Sequence, residues 1–303
     1  MRNLLSVFYL CLLLASCSQS GKAVYSDNNC KLVPPFVGRL GFDKRKSYFS
    51  TSEKKIMGLV LLEATDPQNE QAGATKKYQD SSWKKAGWLA PIQLDNRGNI
   101  FTAPAPFINV LNNPAADQNT IYKIDGETGT MSPFLRLPPA DSATDQNAYG
   151  IIGMVYLCSS GSLYVSTIAG SNRRYEKGCI YQVNSVTGKI ENRLTGMDVL
   201  GMGIAYTSGE RRLYFGKART SDVYSIALTE KGSFTGKPQP EFSLSGLGAR
   251  GDDKVRRIKT DKNGNLLVYG MEFNFNLVAP SEKQETVYQF AYNAEKKQWM
   301  LVD

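Results

Sequence analysis

Residues 161–190 read "GSLYVSTIAGSNRRYEKGCIYQVNSVTGKI", and residues 211–234 read "RRLYFGKARTSDVYSIALTEKGSF". Both stretches run a Leu-Tyr strand, a polar connection, an Ile/Val-Tyr strand and a turn. Aromatic and β-branched residues at this density fit a pleated, half-buried surface. A phrase that returns in the same order marks a repeat architecture. Working outward, the strand that follows a tight turn recurs as "KRKSYFSTS" (44–52), "RGNIFTAP" (97–104), "GSLYVSTI" (161–168), "RRLYFGKA" (211–218) and "GNLLVYGM" (264–271). Each follows a run that reads as its hairpin partner: "FVGRLGFD", "LAPIQLDN", "IIGMVYLC", "GMGIAYTS" and "RRIKTDKN". Asp95-Asn96-Arg97-Gly98, Thr207-Ser208-Gly209 and Asp261-Lys262-Asn263-Gly264 supply turn residues that tolerate positive φ.

A third strand is expected at "IMGLVLLE", "TIYKID", "CIYQVN", "DVYSIA" and "TVYQFAY". The fourth is plainest in "TGTMSPFLRL", "TGKIENRL" and "KKQWMLVD". Similar strands therefore recur at spacings of about 50 to 63 residues, and no amphipathic helix of ten residues interrupts them. Radial repetition explains that order and leaves only short edges exposed, whereas a sandwich does not. The expectation is an all-β chain, a β-propeller of four-stranded antiparallel blades. Five blades are preferred, and a sixth stays open if residues 22–40 or the 104–119 insertion hide strands.

The grammar of "GIAYTSGERRLYFGKARTSDVYSI" (203–226) and "NTIYKIDGETG" (119–129) resembles that of NHL-type and gluconolactonase-like propellers. Across residues 36–303 the resemblance implies blade architecture. In the gluconolactonase-like enzymes it further implies an axial divalent metal, held by an Asn before the Gly-hydrophobic-Ala run and an Asp after the Leu-Tyr strand. Here Met202 precedes Gly203-Ile204-Ala205, and Lys217 stands about where the Asp belongs. A thioether and an ammonium do not replace hard oxygen ligands. No metal, cofactor or lactonase activity is therefore carried over, and no catalytic residue is assigned.

The first residues, "MRNLLSVFYLCLLLASCSQS", hold Arg2, an apolar run from Leu4 to Leu14 and small residues before Cys17. That layout is a secretory signal. Leu14-Ala15-Ser16-Cys17 resembles the lipobox of bacterial lipoproteins, which implies cleavage before Cys17 and lipidation of its sulfur. The expected organisation is a signal peptide at 1–16, a lipidated tether at 17–30 and a propeller at 31–303. No later stretch approaches the roughly twenty apolar residues of a membrane-spanning helix, so the bilayer is reached through the lipid. Ser18 after the cysteine resembles an outer-membrane sorting signal, which implies a cell-envelope protein facing the periplasm.

A hydrophobic fraction of 42% suffices for a core, and 27 Gly, 16 Tyr and 13 Phe favour strands and turns. The formal charge of +8 is scattered along the chain. Together with export, that scatter argues against a nucleic-acid partner. The chain has no His and no Cys-x-x-Cys pair, so the commonest metal ligand and general base are missing. Beyond the leader, Cys30, Cys158 and Cys179 read as small buried residues, and a Cys158–Cys179 bridge is disfavoured by the antiparallel strand order.

Function in propellers concentrates on the loops of one face. Here those loops gather Arg173, Arg174, Lys217, Arg219, Asn274 and Asn276, with Asp198, Arg250, Asp252, Asp253 and Arg256 on the entries to the last two blades. "GLGARGDDKVRR" (246–257) reads first as an ion-paired anchor for a loop beside the central channel. "FNFNL" (273–277) has a strand period, which reads first as Phe273, Phe275 and Leu277 packing into the core, with a ligand-facing pair of Asn274 and Asn276 as the alternative. The leading functional expectation is a non-catalytic envelope lipoprotein whose loop face binds a protein or glycan partner. A hydrolase with an axial carboxylate or metal site, and a structural subunit of an envelope assembly, are the alternatives.

Overall fold

A computed structural model describes residues 30–53, 55–66, 73–106, 110–138, 147–275, 277 and 284–302. The signal, Cys17 and Asn276 lie outside the described residues. Among those described, nineteen strands form five antiparallel sheets arranged as a five-bladed propeller. Blade one contains β1 (Ser47–Ser50), β2 (Val60–Ala64) and β3 (Ala74–Tyr78). Blade two contains β4 (Leu89–Leu94), β5 (Ile100–Pro104), β6 (Thr120–Ile124) and β7 (Met131–Arg136). Blade three contains β8 (Ile151–Leu157), β9 (Ser162–Thr167), β10 (Cys179–Asn184) and β11 (Ile190–Thr195). Blade four contains β12 (Val199–Thr207), β13 (Glu210–Lys217), β14 (Asp222–Leu228) and β15 (Phe234–Ser243). Blade five contains β16 (Lys254–Thr260), β17 (Leu266–Met271), β18 (Thr286–Asn293) and β19 (Gln298–Leu301).

Side-chain burial follows strand position. The innermost β8 and its neighbour β9 are buried at every residue, and their sequences are correspondingly apolar or small. The outermost β11, "IENRLT", alternates half-buried and exposed positions with the period of a one-sided strand. Four apolar clusters fill the interfaces between successive blades from one to five. They centre on Trp83, Phe101, Tyr164 and Tyr214. Among the described residues no such cluster lies between blades five and one.

The turns repeat the same chemistry. Asp95 Oδ1 accepts from the amides of Arg97 (2.9 Å) and Asn99 (2.8 Å), and Gly98 adopts φ +80°. Asp261 Oδ1 likewise accepts from Asn263 (2.7 Å) and Asn265 (2.9 Å), with Gly264 at φ +82°.

Three expectations need correction. "FVGRLGFD" is no strand: Pro35–Arg39 form a short helix, α1, because Pro35 is pre-set for a first helical turn and offers no amide to a ladder. Blade one has three strands, and with β1 facing the axis "KRKSYFSTS" and "IMGLVLLE" form its first and second strands rather than the expected second and third, so the outermost place is the one left unfilled. "FNFNL" is not a strand either. Phe275 takes φ +56°, which breaks the extended run, although Phe273, Phe275 and Leu277 do pack on an apolar cluster. Finally, Cys30 and Cys158 are joined in a disulfide with Cα atoms 6.1 Å apart, and only Cys179 remains a buried free thiol among the described residues.

The disulfide belongs to a strap. From Cys30, beside the β8–β9 turn of blade three, the chain passes the hairpin turns of blade two toward blade one. The Leu32 amide donates to Asp95 O (3.1 Å) and the Phe36 amide to Gly126 O (3.2 Å). The strap thus fastens three blades on the end of the ring that carries the hairpin turns.

Candidate ligand-binding site at the propeller axis

The inner strands of blades two to five share one irregularity. Each carries a β-bulge near its start, seen as a register shift between Leu89 and Ile92, Ile151 and Gly153, Val199 and Gly201, and Val255 and Arg257. A bulge re-aims the extra residue and bends its strand. The residues placed there are Ala90-Pro91, Ile152, Leu200 and Arg256. One site in four is therefore cationic where its counterparts are apolar.

Glycines set how closely these strands approach. A Cβ on Gly153 would lie 2.6 Å from Leu200 O, and one on Gly201 only 2.5 Å from the carbonyl carbon of Arg256. The "GMG" of the fourth repeat is thus a packing requirement between adjacent inner strands.

Between the inner strands lies an axial cavity of about 390 Å³. Blade one contributes Phe49 and Thr51 to its wall, and the strap contributes Lys31. Arg256, Arg257 and Lys259 enter from blade five, and Glu285 is the single carboxylate among the described lining residues. Four basic groups therefore face one acid. Glu285 is already engaged, 2.9 Å from Arg257 Nη2, while the Arg257 guanidinium stacks 4.1 Å from the centre of the Tyr269 ring. Lys31 Nζ donates to Gln93 Oε1 at 3.2 Å. Arg256 Nη1 donates to Ile152 O at 3.3 Å, its one hydrogen bond among the described residues. At the loop end of the inner strands, Tyr149, Ile152, Leu200 and Phe275 pack as an apolar cluster.

Burial and mutual repulsion shape these charges. Burial lowers the Lys31 pKa from that of a free lysine, and the Lys259 charge lowers it further. Burial also lowers the Arg256 pKa, with Glu285 opposing and Arg257 adding to the shift. Burial pushes the neighbouring Tyr149 hydroxyl up to about 12, so that it stays a neutral donor. Among the described residues no group of three or more His, Cys, Asp or Glu side chains is placed to hold a metal ion.

No family model matches the chain, and no curated protein matches it. Solved structures do. An exo-β-1,3-galactanase from Phanerochaete chrysosporium is 10% identical with a TM-score of 0.50, over 84% of this chain and 60% of that one. A luciferin-regenerating enzyme is 12% identical with a TM-score of 0.48, over 86% and 73% of the two chains. A glucose dehydrogenase is 16% identical with a TM-score of 0.44, over 80% and 77%. The likeness is one of fold. At such identities the propeller scaffold is shared and the site is argued from this chain's own residues.

The residues singled out in the sequence fall into three groups. The first is consumed by internal ion pairs. Buried Asp198 receives Arg219 Nε at 3.1 Å, the Gly178 amide at 2.9 Å and the Ser171 hydroxyl. Arg219 also donates to the carbonyls of Asn172, Arg173 and Tyr175 and lies over the Phe275 ring. Burial raises the Asp198 pKa against the pull of Ser171, Arg219 and Gly178. Asp253 is held by Arg250 and, at 2.8 Å, by the Tyr288 hydroxyl. This is the ion-paired loop anchor expected of "GLGARGDDKVRR". The second group stays outside: Arg173, Arg174, Asp252 and Asn274 are exposed, and half-buried Lys217 sits over the Tyr224 ring at 5.6 Å. The third is Arg256, which alone of the described set reaches the axis.

The sequence reading leaves out Lys31, Gln93, Lys259 and Glu285, and places Arg257 only in the charged entry to the last blade. Aligning the inner strands on their hairpin turns places "RRIK" where the other repeats are apolar, and that was the available signal. Nothing in the sequence brings Lys31 to the axis, because the strap is not part of the repeat.

Proposed function

We propose that this chain is an exported, lipid-anchored, non-catalytic binding protein of the cell envelope, whose partner, a glycan or a protein, is engaged at the mouth of the axial cavity. The observation that carries this reading is the composition of the axis. A cavity of about 390 Å³ has a largely apolar wall, including Phe49, Met154, Leu200 and Met202, set with Gln93, Thr51 and basic side chains, and its one carboxylate among the described residues is paired to Arg257. Ligand pockets are built this way, from a concave wall and a few polar groups that fix orientation. Glycoside hydrolysis, in contrast, asks for two carboxylates flanking the scissile bond.

Export and anchoring are supported by the leader and by the Cys30–Cys158 disulfide, a bond that persists in oxidising compartments. Among the described residues no helix is long and apolar enough to cross a membrane. In this reading Cys17 carries the lipid and the body faces the periplasm from the outer membrane. A hydrolase at the same axis is the competing reading, and the same cavity favours it because it is large enough for a sugar ring. The discriminating experiment presents the purified body to an immobilised glycan array and follows each retained glycan by mass spectrometry. Retention without change of mass is the expected result. Cleavage of a retained glycan would replace the binding role with the enzymatic one.

A further inference from the structure

The geometry points to an organic-anion site in the axial cavity: Arg256 receives a carboxylate or phosphate borne on a small hydroxylated molecule such as a sugar, within the positive field of Lys31 and Lys259 further along the same cavity. This deepens the axial-binding reading and rests on it. Three observations converge.

The first is the placement of Arg256. At the equivalent bulges the other inner strands carry Ala90-Pro91, Ile152 and Leu200, so the fold itself asks for an apolar residue there. A guanidinium offers five N–H donors. Here one hydrogen bond, to Ile152 O, is formed among the described residues. A structural tie to one carbonyl does not require a cation. A half-buried guanidinium with most donors unspent is the usual receiver of a planar oxyanion, which it can grip with two parallel hydrogen bonds.

The second is charge. Lys31, Arg256, Arg257 and Lys259 line the cavity against Glu285 alone among the described residues, and Glu285 is bound to Arg257. Lys31 and Arg256 are half-buried, Arg257 and Lys259 stand exposed over the Tyr269 ring, and like charges so gathered direct a positive potential at the cavity. Burial is the main cause of the lowered Lys31 pKa, and the further lowering by Lys259 shows that these two charges sense each other. An anion relieves their repulsion.

The third is preorganisation. Lys31 follows Cys30 directly, and Cys30 is fastened to blade three by the disulfide. Arg256 is fixed from below by the close approach of Gly201 to its backbone. These contacts fix the two backbones, and Gln93 Oε1 and Ile152 O hold the charged ends, which lowers the ordering cost of binding. A cavity of about 390 Å³ accommodates a mono- or disaccharide-sized molecule. Gln93, Thr51 and Thr260 supply neutral polar partners for hydroxyl groups.

The test is isothermal titration of the purified body with D-glucuronate, D-glucose 6-phosphate, D-glucose and sodium sulfate at low and high salt. The proposal expects saturable one-to-one binding of glucuronate or glucose 6-phosphate, weaker at high salt. It expects a loss of about tenfold or more in R256Q, and no loss in R45Q, whose side chain lies on the surface. K31Q, remote from the strand ladders, repeats the test should R256Q fold poorly. No binding of either sugar anion, sulfate binding alone, or sugar-anion binding unchanged in R256Q and K31Q would each overturn the anion site. Glucose bound as well as the anions would leave the axial-binding reading standing and remove the charge assignment. Breakdown of a bound anion would do the reverse, removing the non-catalytic reading while keeping the site.

Discussion

Asp253 shows how a charged loop residue is spent on structure. It is buried, and burial alone would raise its pKa, but hydrogen bonds from Arg250 and Tyr288 hold it below the ordinary carboxylate value. A folded-state pKa below the unfolded one stabilises the fold above the unfolded value, and that stabilisation is lost as pH falls through the folded value. D253N is therefore expected to cost about 2–3 kcal/mol at pH 7, since it leaves Arg250 without its charge partner. In urea unfolding the gap between D253N and the wild type should shrink below about pH 4. A gap that stays constant with pH would refute the assignment. Asp198 works in the opposite sense, because burial raises its pKa, and so it adds nothing to acid lability. Its partner Arg219 ties the 172–175 loop through backbone carbonyls. R219M should speed hydrogen exchange in that loop by about tenfold or more while leaving the blade strands protected. The Arg250–Asp253 pair was legible because its members stand three residues apart. Asp198 and Arg219 were both visible as polar residues, but their pairing joins two loops 21 residues apart and only the blade geometry makes it.

At the scale of elements, hydrophobic repetition located the strands because each buries its aromatic residues in the same order. The places where it failed have local causes. Pro34-Pro35 outweighs the apolar pattern of 36–43, and the positive φ of Phe275 breaks a run whose alternation is real. The bulges of the inner strands were invisible for another reason. A bulge inserts one residue without changing composition, so it emerges only when registers are counted across a ladder. Gly201 is where this matters most, because a Cβ there would meet Arg256 backbone atoms at 2.5–2.7 Å. Backbone cannot rotate aside as a side chain can. G201A is thus expected to destabilise the protein by about 1–3 kcal/mol, and also to weaken glucuronate or glucose 6-phosphate binding by displacing Arg256. Exposed Gly209, where an added Cβ would meet nothing within 4 Å, cannot serve as a neutral control because its φ is +81°. The comparison belongs instead to G201S, which should resemble G201A if sterics decide the outcome.

The whole molecule raises the question of how the ring is closed. Propeller blades pack in sequence, and the described residues place an apolar cluster at each junction from blade one to blade five but none between five and one. Blade one also lacks an outermost fourth strand, so the first blade is the least supported part of the ring. The strap answers this from outside, running from Cys158 in blade three past the turns of blade two to blade one. In the lipoprotein reading only residues 18–29 separate the anchor from Cys30, a reach of at most about 45 Å. The same bond makes a quantitative prediction about stability. Cys30 and Cys158 are 128 residues apart, and closing so long a loop restricts the unfolded chain by about 3–5 kcal/mol in the chain-entropy account. For a body of this size that corresponds to a fall in Tm of about 5–10 °C in C30S/C158S, or in the wild type under reductant. C179A should respond to reductant like the wild type, since its thiol is not bridged. Because the strap also carries Lys31 to the axis, the double variant should lose anion affinity at temperatures where its circular dichroism is still native. A C30S/C158S protein with unchanged Tm and unchanged affinity would show that the strap holds its course through Leu32 and Phe36 alone, and that the disulfide secures neither the ring nor the site.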